Sequence, residues 1–242
     1  MITPVVTLLA AVVFDLDGVL VQSEELWDAA RRELAAEHER TWPPEATGAM
    51  MGMSSLEWSR YMHERVGVPL EAPAISAEVV RRVEAVYRRS PPWIDGALAA
   101  VRRIEERWPL GLATSSNREI IDLVIERGRL ADLIAVTVSS EEVAAGKPSP
   151  AVYLEAARRL AVAPERCVAV EDSTNGLLAA DAAGMAVIAI PNAAHPPAQD
   201  ALAVAARVLG SIAELTPSVI EAAAATAWGS APPTARAGRE RR

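Results

Sequence analysis

Asp15 and Asp17 stand two positions apart directly behind the apolar run "LLAAVVF", and Gly18 follows them. Side chains on an extended segment alternate, so both carboxylates project to one side while Leu16 turns back toward packing. Two carboxylates this close do not both ionise comfortably without a cation or a shared proton between them. A hard cation such as Mg²⁺ suits the pair, because it takes carboxylate and backbone carbonyl oxygens. Gly18 leaves room for a bound group to approach the backbone. Acids capping the helix that follows would account for the same residues, so other segments must decide.

Three do. "GLATSSN" places Thr114, Ser115, Ser116 and Asn117 between an apolar run and a helical stretch. Hydroxyls and amides there form an anion cradle, or else an ordinary cap by Ser116 or Asn117. "AAGKPSP" carries Lys147, the only lysine of the chain, in a sequence whose other basic residues are arginines. An ammonium there is a compact positive charge for a phosphate or a carboxylate. "CVAVEDSTNG" closes a further apolar run with Glu171 and Asp172, a second acidic pair able to complete an oxygen-ligand site. Each signal alone fits capping or a solvated surface; four of them in this order do not.

The elements that position these residues follow from hydrophobic patterning. Short apolar runs at 8–14, 110–114, 133–138, 166–171 and 185–190 read as strands buried on both faces. Between them "NREIIDLVIERG", "PSPAVYLEAARRLAV" and "STNGLLAADAAG" read as helices, with Gly128 and Gly184 placed as stops. Alternation of this kind predicts a doubly wound, Rossmann-like α/β sheet, whose ligands bind at the carboxyl ends of the strands. Residues 21–90 break the rhythm: "SEELWDAARRELAAEHER", "SLEWSRYMHERVG" and "SAEVVRRVEAVYRR" are helical, with no strand among them. The expected organisation is a discontinuous α/β core of residues 1–20 and 91–222, an all-helical cap of 21–90, and a disordered basic tail of 229–242.

Composition sets the remaining bounds. A chain of 242 residues with 51% hydrophobic content can bury a sizeable core, and a net charge of −8 leaves no basic footprint for nucleic acid. Cys167 is the single cysteine, so no internal disulfide forms, and "CVAV" reads as a buried strand with an inert thiol. The first residues lack the positive region of a targeting signal, and no segment reaches the length of a membrane span. A cytoplasmic monomer is the expectation. His38, His63 and His195 lack metal-ligand spacing, and Met50, Met51 and Met53 are expected to pack in the cap.

With four motifs in order, the sequence resembles the haloacid dehalogenase superfamily of phosphohydrolases and phosphomutases. The carriers are "DLDG" at 15–18, Thr114 of "LATSSN", Lys147 of "AAGKP" and "EDS" at 171–173. The nearest subgroup is the beta-phosphoglucomutase-like one, which includes small sugar-phosphate phosphatases, and the resemblance spans about residues 9 to 215. It implies that Asp15 attacks phosphorus and becomes an aspartyl-phosphate, while Asp17 serves as acid and then base. It implies that Thr114, with nearby Ser115, and Lys147 hold the phosphoryl group. Mg²⁺ would be bound by Asp15, the Asp17 backbone carbonyl and Asp172, with Glu171 a ligand or its support. Trp27, Ser54, Ser55, Ser116 and Asn117 are the candidates for substrate contact.

The same resemblance separates hydrolysis from mutase chemistry. A mutase of this kind has a histidine where ungapped placement from Asp15 gives Trp27, and an arginine where it gives Ser55. Arg60, one helical turn on, is a replacement that keeps the mutase open. The expectation is therefore a phosphatase acting on a small phosphorylated metabolite, a sugar phosphate first, with the mutase as the alternative. Packing beneath the cap accounts for Trp27 better than substrate stacking does. A phosphoacceptor signalling domain fits less, because its acceptor lies on a later strand and it carries no helical insert.

Overall fold

The computed structural model describes residues 9–50, 53–193 and 196–229. Met51, His195 and all of the predicted tail except Gly229 lie outside the described residues, as do the first eight positions. The apolar runs form strands β1 (Ala11–Phe14), β2 (Leu110–Thr114), β3 (Ile134–Ser139), β4 (Cys167–Glu171) and β5 (Ala186–Ala189), joined by a two-residue β6 (Arg207–Val208). Their order is β3-β2-β1-β4-β5-β6, and each neighbouring pair is parallel. This is the doubly wound order, in which β1 lies at the centre, beside the point where the chain reverses direction across the sheet.

Alternation along the strands explains why both faces are covered. Val12, Phe14, Leu110, Leu112, Val168, Val170 and Ile188 pack in one cluster with α5 (Ala97–Glu105), α6 (Arg118–Gly128) and α10 (Pro217–Trp228). Ala11, Val13, Ala113, Cys167, Ala169, Val187 and Ala189 face the other way, onto α7 (Ala151–Arg159) and α8 (Thr174–Ala182). Period-two side chains on strands sandwiched by helices give near-continuous apolar sequence, which is why these runs were readable. Cys167 is fully buried, and burial pushes its thiol up to about 12, so it behaves as a small apolar residue.

Between β1 and β2 the chain is helical: α1 (Glu24–Glu37), α2 (Ala46–Met50), α3 (Ser55–Tyr61) and α4 (Ala72–Arg89). Its interior is built from Ala30 and Leu34 of α1, Trp58 of α3 and Ile75, Val79 and Val83 of α4. The last three recur at four-residue spacing, one face of a helix. Because β1 feeds this insert directly, the insert rises from the same sheet edge that carries the strand-end acids. α9 (Gln199–Leu202) is a short helix between β5 and β6.

Some local expectations are corrected. β6 escaped sequence reading because Arg207 and Val208 are both exposed and form no apolar run. Gly128 is the last helical residue of α6, and Arg129 beyond it takes the left-handed φ of 53°. Glycine is required at 128 for space instead, since a Cβ there would sit 2.8 Å from the Trp93 ring. Gly184 does follow its helix with φ 83°.

Candidate active site

The register of the sheet brings the sequence-predicted residues level. Phe14 pairs with Leu112 on one side and Val170 on the other, so Asp15 and Glu171 leave adjacent strands at the same height. The Asp15 amide donates to Val170 O at 2.9 Å, which continues the ladder one residue past β1. Lys147 reaches in from the loop before α7, and its Nζ donates to Asp15 Oδ1 at 2.7 Å and to Glu171 Oε1 at 2.5 Å. Asp15, Lys147, Glu171 and Asp172 are all buried.

Glu171 is saturated by protein donors. Its Oε1 also accepts from Tyr153 Oη at 2.8 Å, while Oε2 accepts from the amides of Asp172 and Ser173 at 2.9 and 3.1 Å. The Ser173 hydroxyl adds a contact at 3.2 Å. Gly176 allows this, for a Cβ there would fall 1.8 Å from Glu171 Oε1. Gly18 serves Asp172 in the same manner: its φ is +79°, and a Cβ would lie 1.8 Å from Asp172 Oδ2.

Asp15, Glu171 and Asp172 each offer an oxygen within 4.8 Å of the others, a set of hard donors of the kind Mg²⁺ takes. One ammonium faces three carboxylates. Burial therefore pushes Asp15 up to about 8, with Lys147 opposing and Glu171 and Asp17 adding to the rise. Burial, then the charges of Glu171 and Asp15, also raise Asp172 well above the usual carboxylate range. A divalent cation is the group that would relieve both.

Asp17 has its own set of partners, although it lines the same cavity as Asp15. Ser23 Oγ donates a short hydrogen bond to Oδ1, and Oδ2 accepts from Ser116 Oγ at 2.6 Å and Thr114 Oγ1 at 3.2 Å. Thr114 Oγ1 in turn accepts from the Ser116 amide at 3.0 Å. Thr114, expected at a phosphoryl group, and Ser116, expected at the substrate, thus hold the Asp17 side chain in this structure.

A cavity of about 140 Å³ opens above these groups. Asp15, Asp17, Ser115, Ser116, Asn117, Lys147 and Asp172 line it from the sheet edge, and Trp27, Arg31, Met50, Met53 and Trp58 from the helical insert. Ser54 and Ser55 are not in that lining. Ser54 Oγ donates to Glu57 at 2.6 Å in a capping box, and the buried Ser55 donates to Asn117 Oδ1 at 2.7 Å across the junction between insert and core. Arg60 is exposed and away from the cavity. His63 is satisfied by the Leu70 carbonyl at 2.8 Å. Ser23, Tyr153 and Arg31 were not singled out from sequence. Arg31 alone left a signal, since it lies four residues after Trp27 on the same helical face.

A family model of haloacid dehalogenase-like hydrolases matches residues 9–184. The chain belongs to that family. It is 34% identical over 214 residues to Hexitol phosphatase B of Escherichia coli, covering 85% of this chain and 94% of the relative. A probable pseudouridine-5'-phosphatase of Drosophila melanogaster is 32% identical over 212 residues, covering 85% and 90%. The crystal structure of beta-phosphoglucomutase from Clostridium difficile superposes with a TM-score of 0.77 at 20% identity, covering 90% of this chain and 97% of that one, which establishes a common fold. The family is thus the one that the four motifs resembled, the enzyme class is hydrolase, and the named relatives act on phosphorylated metabolites. Among the described residues no helix is long and apolar enough to cross a membrane.

Proposed function

We propose that this protein is a Mg²⁺-dependent phosphatase that removes phosphate from a small phosphorylated metabolite, a sugar or sugar-alcohol phosphate, through an aspartyl-phosphate at Asp15. The observation that carries this reading is the pairing of Asp15 with Lys147 at 2.7 Å, at a cavity wall where Asp17 is held by three hydroxyls. A carboxylate oriented by an ammonium is a nucleophile that can meet an anionic phosphoryl group, because Lys147 offsets the charge shared between them.

An Asp15 oxygen forms the new bond to phosphorus as the bond to the substrate's oxygen breaks. Asp17 delivers its proton to that departing oxygen, then takes one from the water that hydrolyses the aspartyl-phosphate. Ser23, Thr114 and Ser116 fix the direction in which Asp17 does so. Ser115 and the loop leading into α6 contact the phosphoryl oxygens. Asp15 and Asp172, with the Asp17 carbonyl, would hold Mg²⁺, which supplies charge neutralisation at the phosphoryl oxygens. Glu171, already occupied by five donors, positions Lys147 in this reading.

Residues 21–90 act as a cap that excludes bulk water from the cavity, over a core of residues 1–20 and 91–222. Hydrolysis is favoured over mutase chemistry by Trp27 in the cavity wall, at the position where a mutase of this kind has histidine. The phosphatase names of relatives above 30% identity lean the same way.

The test is phosphate release from a panel of sugar, sugar-alcohol and nucleoside monophosphates, with Mg²⁺ and with chelator. Release is expected only with Mg²⁺ and is expected to vanish in Asp15→Asn. Full activity in that variant, or in excess chelator, would sink the mechanism. Glucose 6-phosphate forming from beta-glucose 1-phosphate faster than free phosphate would overturn the preference for hydrolysis.

A further inference from the structure

Arg31 contributes to the cavity wall from α1 and is only 8% exposed. Among the described residues its Nε has no hydrogen-bond partner and no carboxylate forms an ion pair with it. The acid best placed on its own helix is already taken: Asp28 accepts from Arg32 Nε at 2.5 Å and from Thr47 Oγ1 at 2.5 Å. A buried guanidinium left in this condition is costly unless something else completes it.

Two tryptophans hold the group in place without using its donors. The guanidinium carbon lies 5.5 Å from the Trp27 ring centroid and 4.8 Å from that of Trp58, and the two rings are tilted by 56°. Such stacking fixes the guanidinium plane but leaves its N–H groups unspent. Asp28, Asp17 and Glu24 are near enough to favour the charge, yet burial outweighs them and draws Arg31 down to about 10, so it stays cationic at neutral pH. The other cation of the cavity, Lys147, is committed to Asp15 and Glu171. The cavity therefore holds one oriented, undercompensated cation on the wall of the insert, opposite the strand ends that take the phosphate.

We propose that Arg31 binds an oxyanion at the end of the substrate remote from the phosphate that is removed, so that preferred substrates are phosphomonoesters carrying a second carboxylate or phosphate. This deepens the phosphatase reading and rests on it. A neutral hydroxyl would fill one hydrogen bond but leave the charge unanswered, whereas a carboxylate or phosphate answers both with paired N–H donors.

The test compares esters that differ only at the remote end: 6-phosphogluconate against sorbitol 6-phosphate, and fructose 1,6-bisphosphate against fructose 6-phosphate. The first pair isolates a carboxylate and the second a phosphate. At least one anionic member is expected to exceed its neutral partner by about tenfold or more in kcat/KM. Arg31→Met is expected to bring that ratio to within about twofold, and Arg31→Lys to retain part of it. Ratios at or below one in the wild type, or an undiminished ratio in a folded Arg31→Met, overturn the proposal. If Arg31→Met does not fold, the wild-type and Arg31→Lys ratios decide. Phosphate release without any anion preference refutes this inference and spares the phosphatase reading. No release from any ester refutes that reading instead. Calorimetric titration of the same pairs into Asp15→Asn then decides for Arg31, with tighter binding of the anionic member expected and equal binding overturning it.

Discussion

Lys147 Nζ lies 2.7 Å from Asp15 Oδ1 and 2.5 Å from Glu171 Oε1, so one ammonium ties the carboxyl ends of β1 and β4 together. The side chains are at most 6% exposed, which makes this a buried triad and not a surface pair. Removing one partner of such a group strands the others without compensation, at a cost of roughly 3–5 kcal/mol.

Lys147→Met is therefore expected to lower unfolding free energy by about that amount and to abolish phosphate release. Urea denaturation reads the first and a phosphate assay the second. Glu171→Gln keeps the shape but loosens the hold on Lys147, and a fall of about 10–100-fold in activity is expected, the range usual when a supporting partner is removed. A denaturation midpoint unchanged in Lys147→Met would mean that the triad is not formed in solution.

The acidic cluster also predicts how stability responds to pH and Mg²⁺. Asp15 is raised by burial to about 8, and Asp172 is raised by burial and its acidic neighbours. The metal-free folded protein thus keeps protons that the unfolded chain releases near pH 4. This contribution is fully present below about pH 4 and is lost as pH rises toward about 8. Mg²⁺ takes the place of those protons, so the rise in Tm on adding it is expected to be small at pH 5 and large at pH 8. Thermal melts with chelator and with Mg²⁺ at both pH values measure this; a larger rise at pH 5 argues against a carboxylate site.

Gly18→Ala offers a test that needs no substrate. At φ +79° alanine is strained, and its Cβ would be placed 1.8 Å from Asp172 Oδ2. A loss of roughly 1–2 kcal/mol from backbone strain is expected, with further loss from displacing Asp172. The Mg²⁺-dependent rise in Tm should shrink with it. Gly48→Ala is the control, since it lies in α2 with nothing within 4 Å of a Cβ and is expected to gain about 0.5–1 kcal/mol.

What sequence could convey divides along physical lines. β1, β2, β4 and β5 were legible because burial on both faces forces an unbroken apolar run. β6 has no such requirement and left none. Asp15, Lys147, Glu171 and Asp172 were legible because strand ends in a parallel sheet converge on one edge whatever the tertiary detail. The hold of Thr114 and Ser116 on Asp17 was not, since it depends on side-chain directions at the end of β2 and in the turn after it, 97 and 99 residues downstream of that acid. Arg31 was only half legible: its four-residue spacing from Trp27 puts both on one helical face, but the partner its Nε lacks leaves no mark in sequence. Ser55 and Arg60 were placed on a helix correctly, but the face that helix turns to the core follows from packing against α4.

That packing sets up the last prediction. Ser55 Oγ donates to Asn117 Oδ1 at 2.7 Å, and Asn117 Nδ2 donates to Glu141 Oε1 at 2.7 Å, a chain that runs from the insert through the α6 N-terminus to the loop after β3. Ser55 and Asn117 are buried, so Ser55→Ala leaves Asn117 short of one partner when the insert is closed, but free to find water when it is open. The variant should therefore favour the open arrangement by roughly 1–2 kcal/mol, which corresponds to a rise in KM of about 5–30-fold with a smaller change in kcat. Amide exchange in α3 should speed up in parallel. Ser59→Ala is the matched control, because among the described residues the Ser59 hydroxyl bonds only the Leu56 carbonyl of its own helix. Equal effects of Ser55→Ala and Ser59→Ala would show that the loss is local to α3, and that the hydroxyl crossing to Asn117 does not govern closure over the site.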